Sequence, residues 1–598
     1  MTKNEGESIV SDVSCFVMMA IFIVGLVVLG VKLKEVQVRD SADYSYANAR
    51  QSVRRVQTTG MRGRILDRNG TVLADNRTTL QIVCHVSRFG RRTWRETEAA
   101  VSEAIGRVAR VVGRPSAVSQ GDIARHVNQR LARPLVVWRG LADEELARFA
   151  EHEREFPGFA CTVDDERRYP FGNLAAHAIG YVGRDEVVTD AGDEKFNFRE
   201  RELRGRGGLE SYYDIFLRGV PGEDKVLVDA RGFAIRSWTV VNPRRGPDLR
   251  LTIDVEIQRA AERELAGERG ACVVMDPRNG EILAFASAPG YDLNRCVPRL
   301  SEAYYTELTN DVARPLLNRA SGGSYAPGST FKPVTALAAL SQGVSPAETY
   351  DCCGVFELGS MHLHCSRTWG HGTLDMRQAL MKSCNPYFCN LGVMTGTNAL
   401  FQAARALGLG SRTGLDLGVD AAGVVPDAEW KARVYRERWY PGDVAQMSIG
   451  QGMLLVSPLQ MARVTGGLAV GYLVNPHFKL DLPVERRLLP FRADALEAVR
   501  TGMRMVVAGD GGEAGTGRRG GEGVAVPVSG KTGTAEVGYG ERRRKNTWFV
   551  AFAPTDRPRV AVAMVIENGQ SGGGTTAPKV ANVLKAVFGE AEGRVSHD

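Results

Sequence analysis

A serine and a lysine one helical turn apart can act as a nucleophile and its base. Ser329 and Lys332 stand in that relation within Gly328-Ser329-Thr330-Phe331-Lys332-Pro333. A serine hydroxyl attacks poorly until a neighbour removes its proton, and a desolvated lysine can do so. Behind the pair, Phe331, Val334, Leu337, Ala338 and Leu340 fit a buried helical stripe. Pro333 lacks an N–H and is tolerated only near a helix start, which places that start at about Ser329, at the positive end of the helix dipole. A lone S-x-x-K arises by chance in most chains of this size, and two later stretches give it weight. Ser383-Cys384-Asn385 and Lys531-Thr532-Gly533-Thr534 follow in that order. Acyl transfer needs a nucleophile, a base, an oxyanion hole and a holder for the donor carboxylate. Ser329 fits the nucleophile, Lys332 the acylation base, and Ser383 a relay to the leaving amine. Asn385 offers an amide to a substrate backbone, Lys531 positive charge, and Thr532 and Thr534 hydroxyls for a terminal carboxylate. Gly530 and Gly533 are expected to let a substrate strand lie against a sheet edge.

The ordered set S-x-x-K, S-x-N, K-T-G resembles that of penicillin-binding proteins and class A β-lactamases. Arg62-Gly63-Arg64-Ile65-Leu66-Asp67-Arg68-Asn69-Gly70 resembles the start of the pedestal module of class B penicillin-binding proteins. Arg168-Tyr169-Pro170, the stretch from Ala176 to Gly183, Gly208-Leu209-Glu210, Ser448-Ile449-Gly450-Gln451-Gly452 and the Ser457 to Ala462 stretch are also family-like. These stretches sharpen the resemblance to class B, and within it to the elongation-type penicillin-binding protein 2 group. The resemblance implies a peptidoglycan D,D-transpeptidase. Ser329 would attack the penultimate D-Ala carbonyl of a stem pentapeptide, and the acyl group would pass to an amine of a neighbouring stem. It implies an oxyanion hole from the N–H groups of Ser329 and Thr534, and acylation of Ser329 by β-lactams. It implies no cofactor for acyl transfer, and a SEDS-type glycosyltransferase and elongation complex as membrane partners. Alternatives are a division-type class B transpeptidase, a D,D-carboxypeptidase and a β-lactam sensor. The known sensor type carries an H-E-x-x-H protease motif, and none of the nine histidines here lies in one.

The elements that position these residues must fill 598 residues, more than one core usually supports. A composition of 24% charged and 43% hydrophobic residues is that of a globular protein. The net charge of +7 is spread along the chain and does not argue for nucleic acid; a basic surface suits anionic lipid or wall polymer equally well. Val13 to Val31 is apolar, uncharged and long enough to span a bilayer, and no small-x-small cleavage site follows it. Lys32, Lys34 and Arg39 after the span would, by the positive-inside rule alone, hold the body in the cytoplasm. The resemblance implies the opposite: a short cytoplasmic tail (1–12), a single transmembrane helix (13–31) in the inner membrane and an exported body. Residues 41–245 read as a mixed pedestal domain without a nucleophile motif, with a hairpin at Arg62–Gly70 and helices at Thr97–Gly113 and Ala142–His152. His177 there reads as a packing residue. A turn-rich stretch from Asn242 to Pro247 marks a boundary. In residues 246–590, Leu249–Ile253 reads as a strand, Val255–Leu265 as a helix, 271–275 with 281–285 and 548–552 with 559–566 as strand pairs, and Thr576–Phe588 as a helix. The fold class is α+β with an antiparallel sheet; the resemblance implies the penicillin-recognising fold, five strands flanked by helices. The Gly-rich stretch 509–523 reads as a flexible loop and not a phosphate cradle.

Five of the ten cysteines lie between Cys352 and Cys389. Cys352, Cys365, His371 and Cys384 are spaced without a C-x-x-C pair, so generic spacing rules speak weakly for zinc. Some penicillin-binding protein 2 members carry a zinc site here with Asp, Asp, His and Cys ligands. By that resemblance His371 and Cys384 match, and Cys352 and Cys365 stand where carboxylates do, a substitution that zinc chemistry allows. Asp351, Cys353, His362 and His364 are alternative ligands, and a disulfide or free thiols are alternative states.

Overall fold

A computed structural model describes residues 6–42, 52–116, 118–128, 133–184, 197–199, 203–229, 234–538 and 544–590. Helix α1 (Gly6–Lys34) carries the apolar run; the stretch Val13–Arg39, 27 residues, is long and apolar enough to cross a membrane and buries nothing against the rest of the chain.

The next region is built on two larger sheets and one two-stranded pair, Val182–Arg184 with Leu203–Gly205. Strands β1 (Val53–Thr58), β2 (Ile65–Leu66) and β3 (Val72–Cys84) come first. The hairpin expected at Arg62–Gly70 is β2–β3: Asp67 accepts the N–H groups of Asn69 and Thr71 through its carboxylate, and Gly70 takes the left-handed turn position at φ 91°. Helix α2 (Trp94–Val112) starts with a Thr93/Glu96 capping box and buries Val101, Ile105 and Val108. Strand β4 (Leu135–Trp138), helix α3 (Asp143–His152) and β5 (Phe159–Arg168) complete this layer, with β4 and β5 both paired to β3. Strands β6 (Asn197–Arg199), β7 (Gly222–Val228) and β8 (Ala234–Val241) join β1 in the order β8-β7-β1-β6.

Strand β9 is only Leu249–Arg250, shorter than expected, and it pairs in parallel with β2. Beyond it the chain changes partner: the Thr252 N–H bonds the Phe478 carbonyl at 2.7 Å, and the Thr252 hydroxyl lies against the carbonyls of Ile282 and His477. The turn-rich stretch before it packs closely: Val220 and Arg244 exchange backbone bonds, and a Cβ on Gly63 would meet the Pro247 carbonyl oxygen at 1.9 Å. Further ties cross from the first region to the second. Tyr213 donates its hydroxyl to Asp416 at 2.6 Å, and His177 bonds the Pro315 carbonyl at 2.6 Å. His177 is buried, and burial lowers its pKa to about 4, so it packs as a neutral ring.

The second region holds helix α4 (Val255–Glu264), strands β10 (Gly270–Met275) and β11 (Ile282–Ala288), and helix α5 (Lys332–Ser341). Short strands β12 (Tyr350–Cys352), β13 (Met361–His364) and β14 (Gly372–Leu374) follow, then helices α6 (Met376–Lys382) and α7 (Asn385–Thr395). After α8 (Pro458–Val470) come β15 (Tyr472–Val474), β16 (Arg486–Leu488) and α9 (Ala493–Ala508). Strands β17 (Ser529–Val537), β18 (Arg544–Ala553) and β19 (Val560–Glu567) and helix α10 (Ala577–Phe588) end the described chain. The main sheet is five-stranded and antiparallel, in the order β11-β10-β19-β18-β17. Both of its faces are covered, so β18 and β19 read as nearly continuous apolar runs. Strand β17 is left at the edge, and it carries Lys531-Thr532-Gly533-Thr534.

Candidate active site

Ser329 does not sit in the α-helix. Residues Gly328–Phe331 form a 3-10 turn, and α5 begins at Lys332 with Pro333 in its first turn. The reason is local: Gly328 adopts φ 54°, and its N–H bonds to the Gly450 carbonyl at 2.8 Å, which bends the chain before the helix starts. Space allows only glycines here. A Cβ on Gly450 would lie 2.0 Å from the Gly328 carbonyl oxygen, and one on Gly533 would lie 2.8 Å from Thr330 Cγ2 and 2.9 Å from the Pro327 carbonyl oxygen. Gly533 therefore admits the close approach of the Ser329 turn to β17. Gly530 likewise faces Phe549 and the Val550 carbonyl of the neighbouring strand.

Lys332 is fully buried, and its Nζ donates to Ser383 O at 2.7 Å, Ser383 Oγ at 3.3 Å and Asn385 Oδ1 at 2.7 Å. Lys531, also fully buried, donates to Ser383 Oγ at 2.8 Å and to the Thr532 carbonyl at 3.0 Å. One serine hydroxyl thus bridges two lysines from different elements. Ser383 can do this because it caps α6 in a left-handed conformation, φ 56°, before α7 begins at Asn385. Burial lowers the Lys332 pKa to about 8, partly offset by the thiols of Cys384, Cys389 and Cys365. Burial, reinforced by the charge of Lys332, takes Lys531 well below the ordinary lysine value. Ser329 is half-buried, and no hydrogen bond ties Lys332 to its hydroxyl in this state.

The expected substrate contacts are all placed along this cleft, and their polar atoms already have partners. Asn385 uses Oδ1 for Lys332 and donates Nδ2 to the His364 carbonyl at 2.8 Å. Thr532 donates to Thr516 Oγ at 3.0 Å, and Thr534 Oγ accepts the Gly572 N–H at 3.3 Å. Thr516 was not foreseen. It lies in the Gly-rich stretch, which is packed and not a free loop: Thr516 bonds the Met381 carbonyl at 3.1 Å, and Gly517 and Gly520 lie against Phe549. No local pattern marks Thr516, because its partner Met381 is 135 residues away.

Cys352, Cys365, His371 and Cys384 converge, with all four ligand atoms within 4.8 Å of one another. Cys365 Sγ lies 3.3 Å and Cys352 Sγ 3.8 Å from His371 Nδ1. A tetrahedral zinc with bonds of about 2.3 Å to sulfur and 2.0–2.1 Å to nitrogen needs ligand–ligand separations of roughly 3.5–3.8 Å. The three thiols and one imidazole fit such an ion in number, type and spacing. Glycines set the loop: a Cβ on Gly370 would meet the Cys352 carbonyl oxygen at 1.8 Å. The alternatives point elsewhere. Cys353 and Asp351 are exposed, His362 pairs with Glu357 at 3.4 Å, and all ten cysteines are free of disulfides. The Cys384 thiol donates toward Cys365, which lowers the Cys365 pKa and raises that of Cys384.

The chain belongs to the penicillin-binding protein family. Residues 270–585 match the penicillin-binding protein transpeptidase domain, and residues 57–251 match the penicillin-binding protein dimerisation domain. Over 96% of its length the chain is 32% identical to the peptidoglycan D,D-transpeptidase MrdA of Acinetobacter baumannii, covering 86% of that protein. With the MrdA of Escherichia coli K12 it shares 31% identity, over 94% of this chain and 91% of that one. Among solved structures, a complex of PBP2 with MreC from Helicobacter pylori is similar at TM-score 0.76 and 26% identity, over 90% of this chain and 98% of that one. A peptidoglycan synthase complex described as coordinating polymerization and crosslinking contains a chain similar at TM-score 0.71 and 29% identity, over 98% of this chain and 99% of that one.

Proposed function

We propose that this chain is a peptidoglycan D,D-transpeptidase of cell-wall elongation, working through an acyl-Ser329 intermediate. The observation that carries the reading is the buried chain Lys332–Ser383–Lys531 beside the Ser329 turn. Neutral Lys332 takes the proton as Ser329 Oγ attacks the penultimate D-Ala carbonyl of a stem pentapeptide. The carbonyl oxygen becomes an oxyanion, held by the N–H groups of Ser329 and Thr534; losing one such donor typically costs about a hundredfold in rate. The C–N bond then breaks. D-Ala leaves with a proton passed from Lys332 through the Ser383 hydroxyl. An amine of a neighbouring stem attacks the ester, gives up its proton along the same path, and Ser329 Oγ leaves protonated. Lys531 supplies positive charge, Thr532 and Thr534 bind the donor carboxylate, and Asn385 orients the donor backbone after exchanging one of its present partners. A β-lactam presents the same carbonyl and acylates Ser329.

Residues 41–245 serve as the pedestal and 246–590 as the transpeptidase domain. The span anchors the chain in the cytoplasmic membrane, with 1–12 inside and the body outside. There it works with a SEDS-type polymerase in an elongation complex, and the solved partnership of PBP2 with MreC supports the same setting. Cys352, Cys365, His371 and Cys384 would hold a zinc ion, which when bound supplies a structural cross-link. Cys384 separates Ser383 from Asn385 in sequence, so a fixed Cys384 holds both in place. The test is turnover of a pentapeptide donor with an amine acceptor by the full chain. Wild type releases D-Ala and forms the cross-linked amide. Ser329→Ala is expected to lose both by at least a thousandfold while keeping its melting temperature; retained turnover would refute the assignment.

A further inference from the structure

A cavity of about 450 Å³ opens on the second region among the 411–414 loop, α8 and the β15–β16 pair. Four arginines line it (Arg412, Arg463, Arg486 and Arg487), against one lining carboxylate, Glu485. Arg463 is 9% exposed. It donates Nε to the Val474 carbonyl at 2.8 Å and Nη2 to Asn475 Oδ1 at 2.9 Å, while its Nη1 has no hydrogen-bond partner among the described residues. A Cβ on Gly408, at φ 82°, would come within 2.9 Å of that Nη1. Arg486 and Arg487 bond only carbonyls, those of Arg278 and Ala406, and none of the four arginines forms an ion pair among the described residues. Burial and the charge of Arg487 lower the Arg463 pKa to about 10, with Asp420 opposing. Asp420 offsets part of this charge without forming an ion pair with Arg463: its Oδ2 accepts the N–H groups of Thr413 and Gly414 and the Thr413 hydroxyl, and its buried Oδ1 has no hydrogen-bond partner among the described residues.

A buried guanidinium that shares a cavity with other guanidiniums costs free energy unless an anion joins them. Arginine forks match oxyanions bidentately, and the excess of positive charge exceeds what one monoanion balances. We propose that this cavity binds a multiply charged phosphate-class oxyanion, held by the buried Arg463 and by the exposed Arg412, Arg486 and Arg487 around it. The site is separate from the Ser329 cleft. Its loop also carries Asp416, which receives the Tyr213 hydroxyl from the first region.

The test is calorimetric titration of the full chain with inorganic pyrophosphate at constant ionic strength, in nanodiscs of phosphatidylcholine. Saturable binding at one site is expected, weakened at least tenfold by Arg463→Gln and by the exposed-residue double variant Arg412→Gln/Arg486→Gln, with penicillin acylation retained as the check on folding. Repeating the titration in nanodiscs containing phosphatidylglycerol separates the sources. Loss of pyrophosphate binding there assigns the site to a lipid phosphate, and unchanged binding assigns it to a free one. Absence of saturable binding, or equal binding by the acylation-competent double variant, would overturn the proposal.

Discussion

Lys332 is pulled in two directions. Its Nζ donates to three oxygens of Ser383 and Asn385, which favours the ammonium, while full burial favours the amine and brings the pKa to about 8. Only the amine can accept the Ser329 proton. At pH 7 roughly a tenth of Lys332 is then neutral, against a negligible fraction for an ordinary lysine. The sign is fixed: raising the pH deprotonates Lys332, so acylation speeds up. The second-order rate of penicillin acylation is expected to rise about tenfold per pH unit below 8 and to level off above it. A rate that is flat from pH 6 to 9 would remove Lys332 as the base. These residues were legible in the sequence as types at spacings. Their bonding was not, because Lys332 meets Ser383 and Asn385 across 51 and 53 residues.

At the scale of elements, the edge strand β17 and the Ser329 turn depend on each other through Gly533. Adding one methyl there places a carbon 2.8 Å from Thr330 Cγ2 and 3.2 Å from the Thr330 N–H nitrogen. Gly533→Ala is therefore expected to slow penicillin acylation at least tenfold through a displaced turn, while α5 and the sheet keep the fold. Unchanged acylation would mean the turn moves freely against the strand. The Cys352, Cys365, His371 and Cys384 cluster would fasten the α6–α7 corner if it holds a metal ion. Purified full chain is expected to hold about one zinc, and chelation or Cys384→Ser to lower both melting temperature and acylation rate. Metal-free protein with unaltered stability would leave the cluster as free thiols. Strand pairs and helices were readable because periods of 2 and 3.6 are local. Helix α5 began three residues later than Pro333 suggested, since the Gly328–Gly450 contact imposes a 3-10 turn first. The 509–523 stretch looked flexible because glycines dominate it. Two of them, Gly517 and Gly520, instead admit Phe549, a neighbour that sequence pattern cannot reveal.

Over the whole molecule, many polar ties join the two regions, among them Tyr169 with Asn294, the Ala175 N–H with Glu262 and Arg68 with Glu281, and one tie can be removed singly. Tyr213→Phe deletes the hydroxyl that Asp416 accepts at 2.6 Å and leaves Asp416 its bonds from the Phe478 and Lys479 N–H groups. A loss of about 1–2 kcal/mol is expected, seen as a lower melting temperature with acylation unchanged. An unchanged melting curve would show that the contact carries no stability. The division into an apolar span, a first mixed region and a sheet-centred second region followed from composition, turn-rich stretches and motif positions. The way Leu249–Arg250 adds to the first region's sheet did not, because a two-residue parallel pairing leaves no periodic signal.

Acylation is assigned to Ser329. Its most direct test is the intact mass of the full chain before and after benzylpenicillin, followed by peptide mapping of the adduct. One stable adduct per chain is expected, on Ser329, absent in Ser329→Ala. An adduct on another residue, or one that persists in Ser329→Ala, would contradict it.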